Sequence, residues 1–236
     1  MKVIDSGFYL GSKKYGENSS ITFILSKENG LVKGFTRFTK KDPNVYSALD
    51  KINFEWYSKN SDGLGFLKIN LLESSKKGIN DFLFELIKAS VSELCLKCLP
   101  VWQTNNEIFK DIEILLDLQS FELSNILIKY VWWEVLFLKN TGYGLNLDTC
   151  AVSGSSENIF FISPKSGNSV SFNIGKKYEK KLFKIPRCFK EIDDKSELND
   201  CLEGLKITGY FLKKNFEKKY SSFIFRNELL KKLKKF

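Results

Sequence analysis

Histidine is absent from all 236 residues of the chain. That absence removes most plans for catalysis near neutral pH. No Ser-His-Asp triad, no Cys-His pair and no His-ligated zinc site can be assembled. The usual general base is missing too, which leaves carboxylates, lysine and tyrosine for an enzyme to use. Glycine signatures are also lacking: there is no P-loop, no GxSxG and no GxGxxG. The partial patterns Gly63-Leu64-Gly65 and Gly142-Tyr143-Gly144 read as a turn or a helix stop, not as phosphate cradles. Long apolar runs do not occur. The most apolar window, Ile126 to Leu138, carries Lys129 and Glu134, so no membrane-spanning helix is expected. The stretch after Met1 is broken by Asp5, Lys13 and Lys14, so no secretory leader is expected. The five cysteines are odd in number and irregularly spaced, which argues against a secreted disulfide scaffold. A cytoplasmic protein with reduced thiols is the expectation. Cys95 and Cys98 have CxxC spacing but fall late in an apolar helical run. They read as small buried hydrophobes, and no second close pair supports a metal or redox role.

What is present is a core and an uneven charge. Hydrophobic residues make up 43% of the chain, enough for packed domains. The formal net charge is +9, which suits phosphate backbones or anionic surfaces. A lysine-biased composition would give the same total, but the signs are sorted along the chain. From Lys206 to Phe236 there are ten Lys or Arg residues against two acids; from Ile79 to Ile126 there are three against eight. One end is suited to an anion and the middle is not.

From Lys2 to about Ser75 the pattern is short and alternating. Val3-Ile4, Phe8 to Leu10, Ile21 to Leu25, Leu31 to Phe38, Ile52 to Trp56 and Phe66 to Leu72 read as strands. Turn signals at Tyr15 to Asn18, Glu28 to Gly30, Asp42 to Asn44 and Ser61 to Gly63 separate them. Five or six strands in so short a span point to a small closed barrel such as an OB-fold. Near Gly78 the period changes. Phe82, Leu83, Leu86, Ile87, Val91 and Leu94 recur at helical spacing, with Asn80 or Asp81 as the cap and Pro100 as the stop. Ile108 to Leu118 and Phe121 to Leu138 read as two more helices, the latter capped by Ser120 and stopped by Gly142. Its Ile126, Val131, Val135 and Leu138, with Trp132 or Trp133, form an apolar face. Ile159 to Ile162 and Val170 to Phe172 flank Pro164 to Asn168 as a short hairpin. Helical pattern returns at about Ser196, is interrupted at Gly209, and ends in a Lys-rich amphipathic helix. The expected fold is therefore α+β and multi-domain. An OB-fold β-barrel occupies 1–78. An all-α helical domain occupies 79–236, with a hairpin insertion at about 150–175.

The order of these parts resembles the RecO family. Gly7 to Ser19 (GFYLGSKKYGENS) is similar to that family's opening, and Lys33 to Arg37 (KGFTR) to the segment that follows. Trp133 to Cys150 (WEVLFLKNTGYGLNLDTC) resembles its Glu-containing helix running into a Gly-Tyr turn and a cysteine. Phe161 to Gly167 (FISPKSG) resembles the next hairpin, and Leu205 to Leu212 (LKITGYFL) a late helix. The resemblance runs in order over nearly the whole chain. It implies a non-catalytic mediator of DNA repair and homologous recombination. Such a protein binds single- and double-stranded DNA, anneals strands, engages the acidic C-terminal tail of the single-strand-binding protein, and acts with RecR to load RecA in the RecFOR pathway. It implies a cytoplasmic, nucleoid-associated protein and no membrane partner. Many members of the family carry a four-Cys zinc site after the Glu helix. Here Cys150 stands at its first position, Ser153 at its second, and the hairpin supplies no cysteine. Four ligands are needed, so this is a degenerate zinc-finger region; no metal and no other cofactor are expected.

The candidate DNA-binding residues are Lys13, Lys14, Lys33, Arg37, Lys40 and Lys41, in or beside barrel strands. Tyr15, Phe35 and Phe38 are interleaved with them, either as base-stacking rings or as barrel core. A second set, Lys213, Lys214, Arg226, Lys231 and Lys232 with Lys218, Lys219, Lys234 and Lys235 beside them, suits DNA or an acidic tail, or is a solvated face. Two other classes of function stand beside this one. One is an OB-fold protein-interaction adaptor with weak DNA binding, marked by salt-insensitive partner binding. The other is a carboxylate enzyme built on Asp193-Asp194 or on Asp111 and Glu113, marked by metal-dependent DNA cleavage.

Overall fold

Alternating apolar and polar residues build five strands: β1 (Lys2–Lys14), β2 (Ser19–Ser26), β3 (Gly30–Arg37), β4 (Lys51–Tyr57) and β5 (Gly65–Glu73). The computed structural model describes residues 1–37, 46–59, 64–75, 82–117, 122–190, 198–216 and 222–235. The strands close into a barrel in the order β1-β2-β3-β5-β4, with β4 returning to β1. All neighbours are antiparallel except β3 and β5. This five-stranded order is the expected OB-fold. Six strand-like runs become five strands because Val3-Ile4 and Phe8 to Leu10 lie in the single long β1, whose register shifts between Tyr9 and Gly11. Such a bulge bends a strand without ending it.

Side chains alternate across a strand, so parity decides what each residue does. Ile24, Val32, Ile52, Phe54, Trp56, Leu67 and Ile69 form the inner core. Closure between β3 and β5 needs two glycines. A Cβ on Gly34 would lie 2.8 Å from the Gly65 carbonyl oxygen, and one on Gly65 would lie 2.3 Å from the Trp56 ring. A second layer covers part of the outside. Phe8, Leu10 and Leu25 are buried although they point away from the inner core, and the Phe8 and Phe109 rings are 4.7 Å apart. Each side chain buried so fully contributes roughly 1.5–3 kcal/mol.

The described residues group into two compact units, Met1–Lys110 with Phe223–Phe236, and Asp111–Ser222. The first holds the barrel, α1 (Phe82–Cys98) and α6 (Ile224–Leu233). Glu93 of α1 is 6% exposed and receives the backbone N–H groups of Ile224 and Phe225 at 2.8 and 2.9 Å. A carboxylate at a helix N-terminus satisfies orphan donors and faces the positive end of the dipole. Helix α2 (Asn106–Leu116) starts in this unit. Asn80, Asp81 and Ser120, the caps read from sequence, lie outside the described residues.

The second unit is built on α3 (Leu123–Asn140) and α5 (Leu198–Phe216). Trp133, not Trp132, joins the core of α3, stacked 6.2 Å from Tyr130 and 5.0 Å from Phe137. Glu134, fully buried, accepts a hydrogen bond from the Thr208 hydroxyl of α5. Gly142, at φ +87, follows α3, and its N–H donates to the Lys139 carbonyl at 3.1 Å, the stop that was expected. Helix α5 runs through Gly209 without a break, contrary to the sequence reading. A helical glycine costs only about 1 kcal/mol, and Leu205, Thr208, Phe211 and Leu212 bury the face that holds this helix. The hairpin of β6 (Ile159–Ile162) and β7 (Ser169–Ser171) forms as expected and gains a third strand, β8 (Phe183–Lys184). One turn of helix, α4 (Phe172–Gly175), follows β7.

Candidate functional site

Strand β3 turns Lys33, Phe35 and Arg37 outward, because Val32 and Thr36 are buried on the inner side. Lys33 and Arg37 are exposed. The registers place Phe35 in a row that crosses the whole sheet. Lys13 pairs with Ile21, Ile21 with Phe35, Phe35 with Phe66 and Phe66 with Tyr57. Tyr15, at the start of the β1–β2 turn, packs its ring 5.1 Å from Phe35. Phe35 lies 5.9 Å from Phe66, and Phe66 stacks on Tyr57 at 5.5 Å with 20° between planes. Arg37 holds its guanidinium carbon 5.7 Å from the Phe66 ring centroid. A hollow of about 430 Å³ opens beside this row, lined by the rings of Phe35, Tyr57 and Phe66, by Arg37 and Lys68, and by the inward Thr22 and Thr36.

Most charges on this face are positive. Glu55 is an acid on it, and it pairs with Lys68 across β4 and β5 and with Lys2 at 3.1 Å. The hydrogen bond from Lys2 and its charge, with a smaller effect from Lys68, hold the Glu55 carboxyl below its ordinary range. Lys33 and Arg37 stand opposite Phe23 and Ser19 of β2 and have no acid as a register partner there. A strip of cations beside exposed rings has the chemistry to follow a phosphate backbone while offering faces to bases.

The residues named from sequence divide as follows. Lys13, Lys33, Arg37, Phe35 and Tyr15 come together on this face, and Lys14 is exposed next to Lys13. Lys40, Lys41 and Phe38 lie outside the described residues. Tyr57, Phe66 and Lys68 were missed. Their alternation with the inward Trp56 and Leu67 is visible in the sequence, but the parallel pairing of β5 with β3 is not. The second basic set falls into two. Lys213 and Lys214 are on α5 in the second unit, and Lys214 donates to the carbonyls of Pro164 and Lys165 at 2.9 and 2.6 Å. Arg226, Lys231 and Lys232 are on α6 in the first unit. Arg226 is 4% exposed, so it belongs to the packed side of its helix and not to a ligand-facing surface. Lys231 pairs with Glu228 at 3.5 Å, and Lys232 lies 5.4 Å from the Phe82 ring centroid.

After α3 the chain folds into a small apolar lobe around Cys150. Cys150 is buried with Ile159, Phe161 and Val170, with Ile174, Leu182 and Ile185 packed against them, so apolar contacts hold the lobe. Among the described residues, no group of three or more His, Cys, Asp or Glu side chains is placed to hold a metal. Burial pushes the Cys150 thiol up, but hydrogen bonds from Ser153 and from the backbone of Ser153, Ser171 and Val152 outweigh it and bring it to about 6. The CxxC pair goes the other way: burial raises both Cys95 and Cys98, the latter to about 12. Cys188 and Cys201, distant in sequence, are hydrogen-bonded to each other, and this bond with burial raises Cys188. Of the acids weighed for catalysis, Asp111 accepts from Asn140 at 2.9 Å, and Asp193-Asp194 lie outside the described residues. No helix among the described residues is long and apolar enough to cross a membrane.

Comparison with known proteins agrees with the resemblance. The family described as "Recombination protein O C terminal" matches residues 86–222. A DNA repair protein RecO of Ehrlichia chaffeensis is 30% identical over 245 residues, covering 98% of each chain. A DNA repair protein RecO of Wolbachia pipientis is 31% identical over 220 residues, covering 91% of this chain and 92% of the other. One from Orientia tsutsugamushi is 29% identical over 240 residues, covering 99% and 98%. With the family match spanning more than half of the chain and these relatives nearly all of it, the chain belongs to the RecO family of DNA repair proteins.

Proposed function

We propose that this chain is a non-catalytic recombination mediator whose barrel binds single- and double-stranded DNA. In this reading it anneals complementary strands and engages the C-terminal tail of the single-strand-binding protein. With RecR it helps load RecA on coated strands in the RecFOR pathway, including repair of double-strand breaks. It works in the cytoplasm at the nucleoid, without zinc or another cofactor. Lys33, Arg37 and Lys13, with Lys14, Lys40 and Lys41, contact phosphates. The exposed lysines of α5, Lys213 foremost, and separately those of α6, Lys231 foremost, are further candidates for contact with DNA or the acidic tail.

The observation that carries this reading is the outer face of β3, where Lys33 and Arg37 flank Phe35 in a cross-strand row of rings. A cationic strip interleaved with aromatics suits phosphates and bases together. Binding through phosphates releases counterions, so affinity should fall by orders of magnitude between about 50 and 200 mM salt. The variant Lys33→Glu/Arg37→Glu/Lys40→Glu/Lys41→Glu should bind labelled DNA at least about 100-fold more weakly, with a shallower salt slope. Unchanged affinity in that variant would take the barrel out of the DNA site.

A further inference from the structure

The cysteines divide by what surrounds them. Cys95 and Cys98, the pair with CxxC spacing, sit on α1, where burial keeps both thiols protonated. Cys150 packs among Ile159, Phe161 and Val170. Cys188 and Cys201, which no motif connects, are brought together by the fold. The Asp200 carboxylate, in the first turn of α5, accepts the backbone N–H groups of Arg187 and Cys188 at 2.8 and 2.6 Å. It thereby docks the short 3-10 turn Arg187–Phe189 on α5. The Cys188 sulfur then lies 3.5 Å from the Asp200 carbonyl oxygen and is hydrogen-bonded to the Cys201 sulfur. Gly204, one turn further along α5, leaves the room for this approach. A Cβ there would lie 3.0 Å from the Cys188 sulfur and 3.1 Å from the Phe189 ring. Both thiols are buried. Small buried groups would serve packing alone; two sulfurs in contact add chemistry. Their bond is asymmetric. It holds Cys201 below the ordinary thiol range and, with burial, Cys188 above it. Cys201 therefore ionises first and is the better nucleophile.

We propose that Cys188 and Cys201 are a reversible dithiol–disulfide pair that clamps the Arg187–Phe189 turn to the first turn of α5 when the chain meets a low-molecular-weight disulfide. The inference does not rest on the DNA reading. In the first step the Cys201 thiolate attacks one sulfur of R–S–S–R, forming a mixed disulfide and releasing RS⁻. Cys188 then loses its proton to solvent, attacks the Cys201 sulfur and expels the second RS⁻. Two protein thiols are oxidised, one reagent disulfide is reduced, and the two protons end on the released thiols. The sulfurs need close only from hydrogen-bond contact to about 2.05 Å. Because both are buried, attack waits on local opening of the first turn of α5, which sets the rate and not the equilibrium.

The test equilibrates the full chain, without oxygen, in mixtures of reduced and oxidised glutathione. Each sample is quenched in acid, denatured and alkylated. At the oxidising end two of the five cysteines should escape alkylation, and peptide mapping should find Cys188 joined to Cys201. Excess reductant should restore all five. The oxidised chain should unfold at a urea concentration about 1 M higher than the reduced chain. That gap should vanish in Cys188→Ala; should this variant fail to fold, the wild-type peptide map and midpoints decide alone. Five alkylated cysteines at the oxidising end, glutathione retained on single cysteines, or a bond joining a different pair would overturn the proposal. A Cys188–Cys201 bond that leaves the midpoint unchanged would overturn the clamp.

Discussion

The Cys150 thiol ties one side chain to the pH dependence of the whole fold. Its folded pKa of about 6 lies below the ordinary thiol value of 9.0, because donors from Ser153, Ser171 and Val152 outweigh the opposing effect of burial. A group that is more acidic in the folded state stabilises the fold where it is ionised. That contribution is complete above pH 9, shrinks as pH falls, and is gone below about 6. The urea midpoint should therefore rise between pH 6 and 9 more steeply in the wild type than in Cys150→Ala. Parallel profiles would mean that the thiol is not held this way. The same samples should contain far less than one zinc per chain, since apolar contacts around Phe161 hold the lobe. At this scale the sequence was partly legible. Lys33, Phe35 and Arg37 share a face by alternation alone. Phe66 and Tyr57 joined them only through a parallel pairing that local pattern does not encode. The burial of Arg226 depends on which side of α6 packs, and a lysine-rich helix does not announce it.

Among elements, α6 is attached at its first turn through a buried carboxylate. Its first N–H groups are bound by the Glu93 carboxylate, which also receives the Lys97 ammonium at 2.8 Å. Loss of that carboxylate would leave a partly buried helix end with unmet donors, a cost of roughly 1–3 kcal/mol. Glu93→Ala should lower stability by that amount and speed hydrogen exchange in residues 224–233 more than in the barrel strands. Equal protection of α6 in the variant would show that side-chain packing alone docks the helix. Sequence pattern found α1, α2, α3 and the β6–β7 hairpin, because each has a clear period and a turn or stop beside it. It placed a break at Gly209 because glycine is a local signal, while the burial that overrides it comes from tertiary packing. It missed β8 because two residues give no period to read.

At the scale of the whole molecule, a net charge of +9 guarantees attraction to any nucleic acid, so affinity alone says little about function. What separates a mediator from a general DNA binder is action on strands that are already covered. The most direct measurement is annealing of two complementary labelled strands coated with their single-strand-binding protein. This chain should speed annealing without ATP or metal, and the charge-reversed barrel variant should not. If the wild type binds bare DNA yet leaves coated strands unannealed, the mediator reading is contradicted and an OB-fold DNA binder is what remains.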